Sequence, residues 1–228
     1  LYKHRDYVEA QHFIDNLSEQ FKFNKAHKIL DLACGKGRHS IYLNQKGFDV
    51  EGADLSEQNI LHASQFENER LHFAEHDIRE VYKPAHFDFI LNMFTSFGYF
   101  SSDEEHEAAI VATAASLKPG GVLIIDFFNT QKVLESLVEY SEVKSEGILF
   151  KQSRQIVDGT IVKAIDFSDN GKVYHYEERV KALFKADFLR YFKAAGLVCQ
   201  AVFGSYDLKD FSAETSDRMV LVARKEVL

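Results

Sequence analysis

The sequence predicts an α/β protein built on a doubly wound sheet, and three observations carry that prediction. Short apolar runs alternate with longer amphipathic ones from Lys28 to Asn129. Some of the runs, above all "VLIIDFFN", are almost wholly apolar, as parallel strands covered on both faces are. The connections between them are short, which suits repeated strand-helix units.

In chain order, "LYKHRDYVEAQHFIDNL" carries a helical pattern over about residues 4–20, with Val8, Phe13 and Leu17 among its apolar positions. "KILDLA" is the first strand, followed by a helix over about Arg38–Lys46 that Gly47 ends. "FDVEGAD" is the second strand, after which Ser56 supplies the N-cap of a helix reaching about Arg70. "LHFAEHD" and "FDFILNMF" are the third and fourth strands. Ser102 and Glu105 make an S-x-x-E capping box, so a helix starts there and stops at "LKPGG", before the fifth strand. "KADFLRYFKAAG" is a further helix, and "LVCQAVFGSYD" and "DRMVLVARK" are two closing strands.

Residues from about 148 to 181 break the alternation. Asp158-Gly159 and Asn170-Gly171 are favoured hairpin turns joining three strand-like runs. Their register sets Phe167 opposite Tyr174, Ile165 opposite Tyr176, Lys163 opposite Glu178, Ile156 opposite Ile161 and Arg154 opposite Lys163. One face of this meander is apolar and must lie on something. It is expected to be an insertion packed on the main sheet, within a single domain spanning residues 1–228.

Composition bounds the function. A formal net charge of −8 argues against a surface built to hold nucleic acid or an anionic membrane. No apolar run approaches the roughly 18–20 residues of a membrane span, and no signal peptide is expected. Cys34 and Cys199 lack zinc-ligand spacing and read as reduced thiols, so a cytoplasmic protein is expected. The histidines are scattered without an H-x-x-x-H pair, and no metal is expected. The chain starts at Leu1 rather than Met, as a sequence lacking a short N-terminal piece would.

The chemistry-bearing stretch is "LDLACGKGRHS". Its glycines fall after the first strand, where ligands of doubly wound sheets bind. Gly35 and Gly37 let a ligand approach the backbone, and the following helix terminus offers free N–H groups. A nicotinamide dinucleotide calls for Gly or Ala at a third position, where this chain has Ser40, small but neither of the two. Asp54, ending the second strand, suits the ribose of a nicotinamide cofactor or of S-adenosylmethionine equally. Asp77 in "AEHDI", "LKPGG" and the closing strand pair tilt the choice toward S-adenosylmethionine.

With these residues in place, the chain resembles the class I S-adenosylmethionine-dependent methyltransferases. It is most similar to small bacterial methyltransferase-domain proteins with "CGxGRHxxxLxxxGFxVxGxDLS", here "CGKGRHSIYLNQKGFDVEGADLS". The resemblance implies a Rossmann-like, seven-stranded sheet ending in an antiparallel hairpin strand, with S-adenosyl-L-methionine as cofactor. It implies that backbone at Ala33 and Gly35 contacts the methionine part and that Asp31 orders the loop, with Gly37 completing the motif. Asp54 would hold the ribose, Leu55 would pack on adenine, and Asp77 with Ile78 would bind the adenine edge and face. Asn92 and Met93 would lie near the sulfonium. Ala33 departs from the family glycine and fits if its φ is negative.

The acceptor is expected to be a small molecule. The segment after the fourth strand is "NMFTSFGYF", without the prolines of nucleobase-amine methyltransferases, and Phe94 and Tyr99 are its best contacts. Arg154 and Tyr174 of the meander are further substrate candidates, and the N-terminal helix is expected to act as a lid, with Tyr2 or Arg5 reaching the cofactor. An NAD(P)-dependent oxidoreductase and a non-catalytic S-adenosylmethionine-binding protein are the alternatives.

Overall fold

A strand sends successive side chains to opposite faces, so a continuously apolar run needs cover on both. In the computed structural model, which describes residues 6–227, Ile29 and Leu30, Phe89 and Ile90, and Val122 and Leu123 divide in this way between two cores. Phe13, Ile14, Leu17 and Leu43 close one core, and Ala109, Ile110, Phe188, Tyr191 and Phe192 close the other.

The elements run α1 (Asp6–Gln20), β1 (Lys28–Leu32), α2 (Arg38–Gln45), β2 (Asp49–Asp54), α3 (Glu57–Ala63), β3 (Leu71–Glu75), β4 (Phe87–Asn92), α4 (Asp103–Ser116) and β5 (Leu117–Phe128). Next come α5 (Thr130–Glu135), β6 (Tyr140–Ser145), β7 (Ile148–Val157), β8 (Thr160–Asp169) and β9 (Lys172–Lys181). The last are α6 (Lys185–Ala194), β10 (Leu197–Phe203) and β11 (Arg218–Lys225). The main sheet has seven strands in the order β10-β11-β5-β4-β1-β2-β3. Strands β1 to β5 pair in parallel, while β11 is antiparallel to both β5 and β10. This is the doubly wound sheet with a closing hairpin that the sequence predicts.

The local signals mostly hold. Gly37 and Gly47 bracket α2 with φ of +79° and +90°. Ser102 Oγ accepts the Glu105 N–H at 3.2 Å, and Glu105 Oε2 accepts the Ser102 N–H at 3.3 Å, so the capping box is formed. Helix α3 stops at Ala63, well short of Arg70. Past it, the Asn68 and Glu67 side chains take the N–H groups of Arg70 and Phe73 at 3.0 and 2.7 Å, turning the chain into β3. In α1, Phe13, Ile14 and Leu17 are fully buried, each contributing about 1.5–3 kcal/mol, whereas Val8 is 75% exposed.

The second sheet has four strands, β6-β7-β8-β9, rather than the three expected. Strand β6, "YSEVKS", has no apolar face to announce it and forms an exposed edge. The expected register of β7, β8 and β9 is present at every pair named above. The apolar face, however, is not laid on the main sheet. Its rings cover one another, Phe150 against Phe167 at 4.8 Å and Phe167 against Tyr174 at 4.9 Å, while Tyr176 is 56% exposed. The sheet meets the rest of the protein at its Val180–Lys181 end, where the Lys181 N–H donates to Gly98 O at 2.8 Å. No described helix is long and apolar enough to cross a membrane.

Candidate active site

Strand β1 lies between β2 and β4, and the chain leaves β1 and β4 toward opposite sides of the sheet. The loops after these two strands therefore part and open a crevice at their C-terminal ends. In the first loop Ala33, Gly35 and Gly37 have φ of +61°, +56° and +79°. Glycine suits such angles, but at Ala33 the left-handed region costs about 1–2 kcal/mol. The expectation that alanine fits through a negative φ is thus incorrect: Ala33 is strained. The Cys34 N–H, donated to Ala53 O at 3.0 Å, and the Gly35 N–H, donated to Asp54 Oδ2 at 2.8 Å, hold the loop.

The two glycines differ in purpose. A Cβ at Gly35 would meet nothing within 4 Å, so its face is open. A Cβ at Gly37 would sit 2.7 Å from the Phe73 ring, so this glycine is needed for packing of loop on sheet and not for ligand approach. Ser40 has a clear task as well: its hydroxyl donates to Asp31 Oδ2 at 2.6 Å. Asp31 is fully buried, and burial pushes its carboxyl up to about 6 despite that bond. Burial, reinforced by nearby Asp31 and Asp54, also pushes the Cys34 thiol far up, which leaves it unreactive.

The crevice holds a cavity of about 390 Å³, lined by Ala33, Cys34, Gly35, Lys36, Arg38 and His39 on one side and by Met93, Phe94 and Ser96 on the other, with Tyr7 of α1 at the rim. The Arg38 guanidinium lies 4.7 Å over the Phe94 ring, and His39 stacks on the same ring at 5.0 Å. Burial and then the Arg38 charge bring the His39 imidazole down to about 3, so it is neutral. Asn92 donates through Nδ2 to Leu32 O at 2.9 Å, while its buried Oδ1 has no donor among the described residues.

Of the residues singled out in the sequence, Ala33, Gly35, Met93 and Phe94 thus line one cavity. Asp54 touches the loop through Gly35 and also accepts the Ser56 N–H at 2.9 Å. Leu55 is 66% exposed, Ile78 packs on the core beneath α4, and neither lines the cavity. Asp77 is bound by Arg79 at 2.6 Å, which holds its carboxyl below the usual range, and Arg79 also reaches Glu105 at 2.6 Å. Tyr99 is 55% exposed and outside the lining. Arg154 bonds Gln152 and Ser141 at 2.5 and 3.1 Å, and Tyr174 belongs to the ring column, so both serve the second sheet. Tyr2 and Arg5 lie outside the described residues.

Sequence reading missed Tyr7, Lys36, Arg38 and His39, although three of them sit inside the quoted motif. It also missed Asp126, Arg218 and Tyr206. Buried Asp126 pairs with half-buried Arg218 at 2.8 Å, and Tyr206 donates to Asp126 Oδ2 at 3.0 Å. The signal was a lone acid in "VLIIDFF" and a lone base at the start of "RMVLVA", two apolar runs that each carry one charge.

A parallel sheet closed by an antiparallel pair, with a glycine loop after β1 facing the end of β4, defines the class I methyltransferase scaffold. Comparison with known proteins agrees. A family model described as a methyltransferase domain matches residues 29–121. The chain is 30% identical over 230 residues to the glycine/sarcosine N-methyltransferase of Parasynechococcus marenigrum (strain WH8102), covering 96% of this chain and 77% of that one. It is 28% identical over 182 residues to the dTDP-3-amino-3,4,6-trideoxy-alpha-D-glucopyranose N,N-dimethyltransferase of Streptomyces venezuelae, covering 76% of each chain. In fold it is similar to an S-adenosylmethionine-dependent methyltransferase from Clostridium acetobutylicum ATCC 824, with a TM-score of 0.82 and 22% identity, over 98% of this chain and 93% of that one. The chain belongs to the S-adenosylmethionine-dependent methyltransferase family and is an enzyme of it, with S-adenosylmethionine as cofactor. The nicotinamide alternative is set aside.

Two outcomes follow from the loop. Ala33→Gly should raise unfolding stability by up to about 1 kcal/mol, because relief of strain exceeds the added freedom of the unfolded chain; a fall in the urea midpoint would contradict the strain. Asp31 favours its neutral form in the fold, since its value of about 6 exceeds the ordinary 3.8. Its contribution is complete below about pH 4 and is lost as pH rises through about 6. Between about pH 4 and pH 7 the protein should therefore lose roughly 3 kcal/mol relative to Asp31→Asn. Parallel urea-stability profiles for the two proteins would show that burial does not dominate.

Proposed function

We propose that this methyltransferase transfers the methyl group to the nitrogen of a small amine. The observation that carries the reading is Asn92 Oδ1, a buried acceptor with no donor among the described residues, next in the chain to the cavity residue Met93. An unmatched buried carbonyl costs about 1–3 kcal/mol, so a ligand N–H is favoured there. Both relatives are named as N-methyltransferases, one of an amino sugar and one of glycine or sarcosine. A cavity of about 390 Å³ suits an acceptor of that size beside part of the cofactor. The net charge of −8 supports a partner other than nucleic acid.

In this reading the backbone at Ala33 and Gly35, with Arg38, takes the amino-acid end of the cofactor, and Gly37 keeps their loop packed on the sheet. Asp31, held by Ser40, steadies that end. Asp54 takes the ribose hydroxyls, Leu55 covers adenine, and Asp77 with Ile78 meets its edge and face. When bound, the cofactor supplies a methyl group already activated on a sulfonium. What this chain adds is position: Asn92, Met93 and Phe94 orient the acceptor, and Tyr7 shields it from the α1 side. Holding two reactants in line contributes on the order of 7–11 kcal/mol to lowering a barrier. An uncharged amine has its lone pair free, so no base is required; His39, neutral with a value of about 3, is too weak to serve as one at neutral pH. The reading takes residues 1–228 as one domain, with α1 as its cover, in a reducing compartment that leaves Cys34 and Cys199 as free thiols.

Calorimetric titration with S-adenosylhomocysteine should give binding, and Asp54→Ala should weaken it about tenfold or more. Unchanged affinity in a folded variant would remove the ribose role. Labelled S-adenosylmethionine offered with a panel of amines, alcohols and thiols should label an amine. Labelling confined to oxygen or sulfur acceptors would overturn the amine assignment.

A further inference from the structure

Phe94 and Thr95 leave β4 with φ of +56° and +61°. Two successive residues with side chains hold such angles only under outside restraint. The restraint comes from one buried carboxylate and its arginine. Asp126 Oδ2 accepts the Phe94 N–H at 2.8 Å, and Asp126 O accepts the Thr95 N–H at 2.9 Å. Arg218 Nε donates to Asp126 Oδ1 at 2.8 Å, while its Nη2 donates to Thr95 Oγ1 at 3.0 Å.

The same carboxylate is linked to α1, whose Tyr7 stands at the cavity rim. Asp126 Oδ2 also accepts the Tyr206 hydroxyl at 3.0 Å, and the Tyr206 ring stacks on Phe13 of α1 at 4.4 Å. Asn16 of α1 donates to Tyr206 O at 2.8 Å, and Tyr206 lies 5.5 Å from Phe94. Phe94 in turn carries His39 and Arg38. Wall and cover thus share one anchor. Neither Asp126 nor Arg218 lines the cavity.

We propose that Asp126 and Arg218 are positioning residues that, with Tyr206, fix the Phe94–Thr95 wall and the α1 cover in one geometry around the cofactor. The proposal rests on the reading of the cavity as the cofactor and acceptor site. Removing either charge leaves a buried carboxylate or a half-buried guanidinium unpaired, so wall and cover loosen together. Lysine at 218 keeps the charge but lacks the fork that meets Asp126 and Thr95 at once.

The test compares Asp126→Asn, Arg218→Lys and Tyr206→Phe with Glu51→Gln. Glu51 is also buried and ion-paired, to Lys83 at 2.5 Å, but stands on β2 away from the wall. Amide exchange at Phe94 and Thr95 and calorimetry with S-adenosylhomocysteine are read beside the melting midpoint. Asp126→Asn should speed exchange at both amides about a hundredfold and weaken binding about tenfold. Arg218→Lys should act chiefly at Thr95, and Tyr206→Phe should loosen α1 amides as well as Phe94. Glu51→Gln should lower the midpoint and leave exchange at the wall and binding unchanged. Unchanged exchange at Phe94 and Thr95 in both Arg218→Lys and Tyr206→Phe would overturn the proposal, as would equal loss of binding in Glu51→Gln. Should Asp126→Asn fail to fold, the other two variants decide. Absence of binding in the unaltered protein would refute the cofactor site, and the exchange measurements would still decide on the anchor.

Discussion

The site depends on where β1 sits. Ile29 pairs with Val50 on one side and with Phe89 on the other, so β1 is the strand at which the winding of the sheet reverses. The loops that follow β1 and β4 must then separate, and the space between them belongs to neither face of the sheet. Asp31 and Asn92 lie near the ends of these two strands, both buried, and the Asn92 amide ties β4 to the Leu32 carbonyl at 2.9 Å. Polar groups placed there are sealed from solvent, and they stand two and one positions before Ala33 and Met93, which line the cavity. That location raises the proton affinity of the Asp31 carboxyl and leaves Asn92 Oδ1 without a donor among the described residues.

Strain and buried charge occur together around this cavity. Ala33, Phe94 and Thr95 all have positive φ, and each loop is steadied by a carboxylate, Asp54 for the first and Asp126 for the second. The pairing has a physical basis: a backbone N–H turned the wrong way for a sheet ladder still needs an acceptor. The local charge also opposes the global one. Lys36 and Arg38 line the cavity of a chain whose net charge is −8, so its wall is locally basic.

Much of this was legible in the sequence, and the gaps have definite causes. Apolar runs and turn pairs marked the seven strands of the main sheet and the register of β7, β8 and β9, because both signals are local. Strand β6 was invisible, since its six residues alternate without an apolar face. The exposure of the ring column was equally hidden: the sequence shows that a face is apolar, not that its own rings can cover it. At the site, the motif exposed the glycine loop and its acids. It did not separate Gly35, which faces open space, from Gly37, which makes room for Phe73, because both carry the same letter. Arg154 and Tyr174 drew attention by residue type alone, and their partners lie within the second sheet.

The antiparallel closure of the sheet has a consequence for how the enzyme is made. Arg218 comes from β11, which follows every other described element, and it meets Asp126 across 92 positions of chain. A ribosome releases the glycine loop, the acids and Phe94 long before it releases this arginine. A nascent chain therefore carries most of the ligand-facing residues while the turn that presents Phe94 still lacks its restraint. A chain that stops before β11 keeps every residue that lines the cavity yet lacks the arginine that braces Asp126 and Thr95.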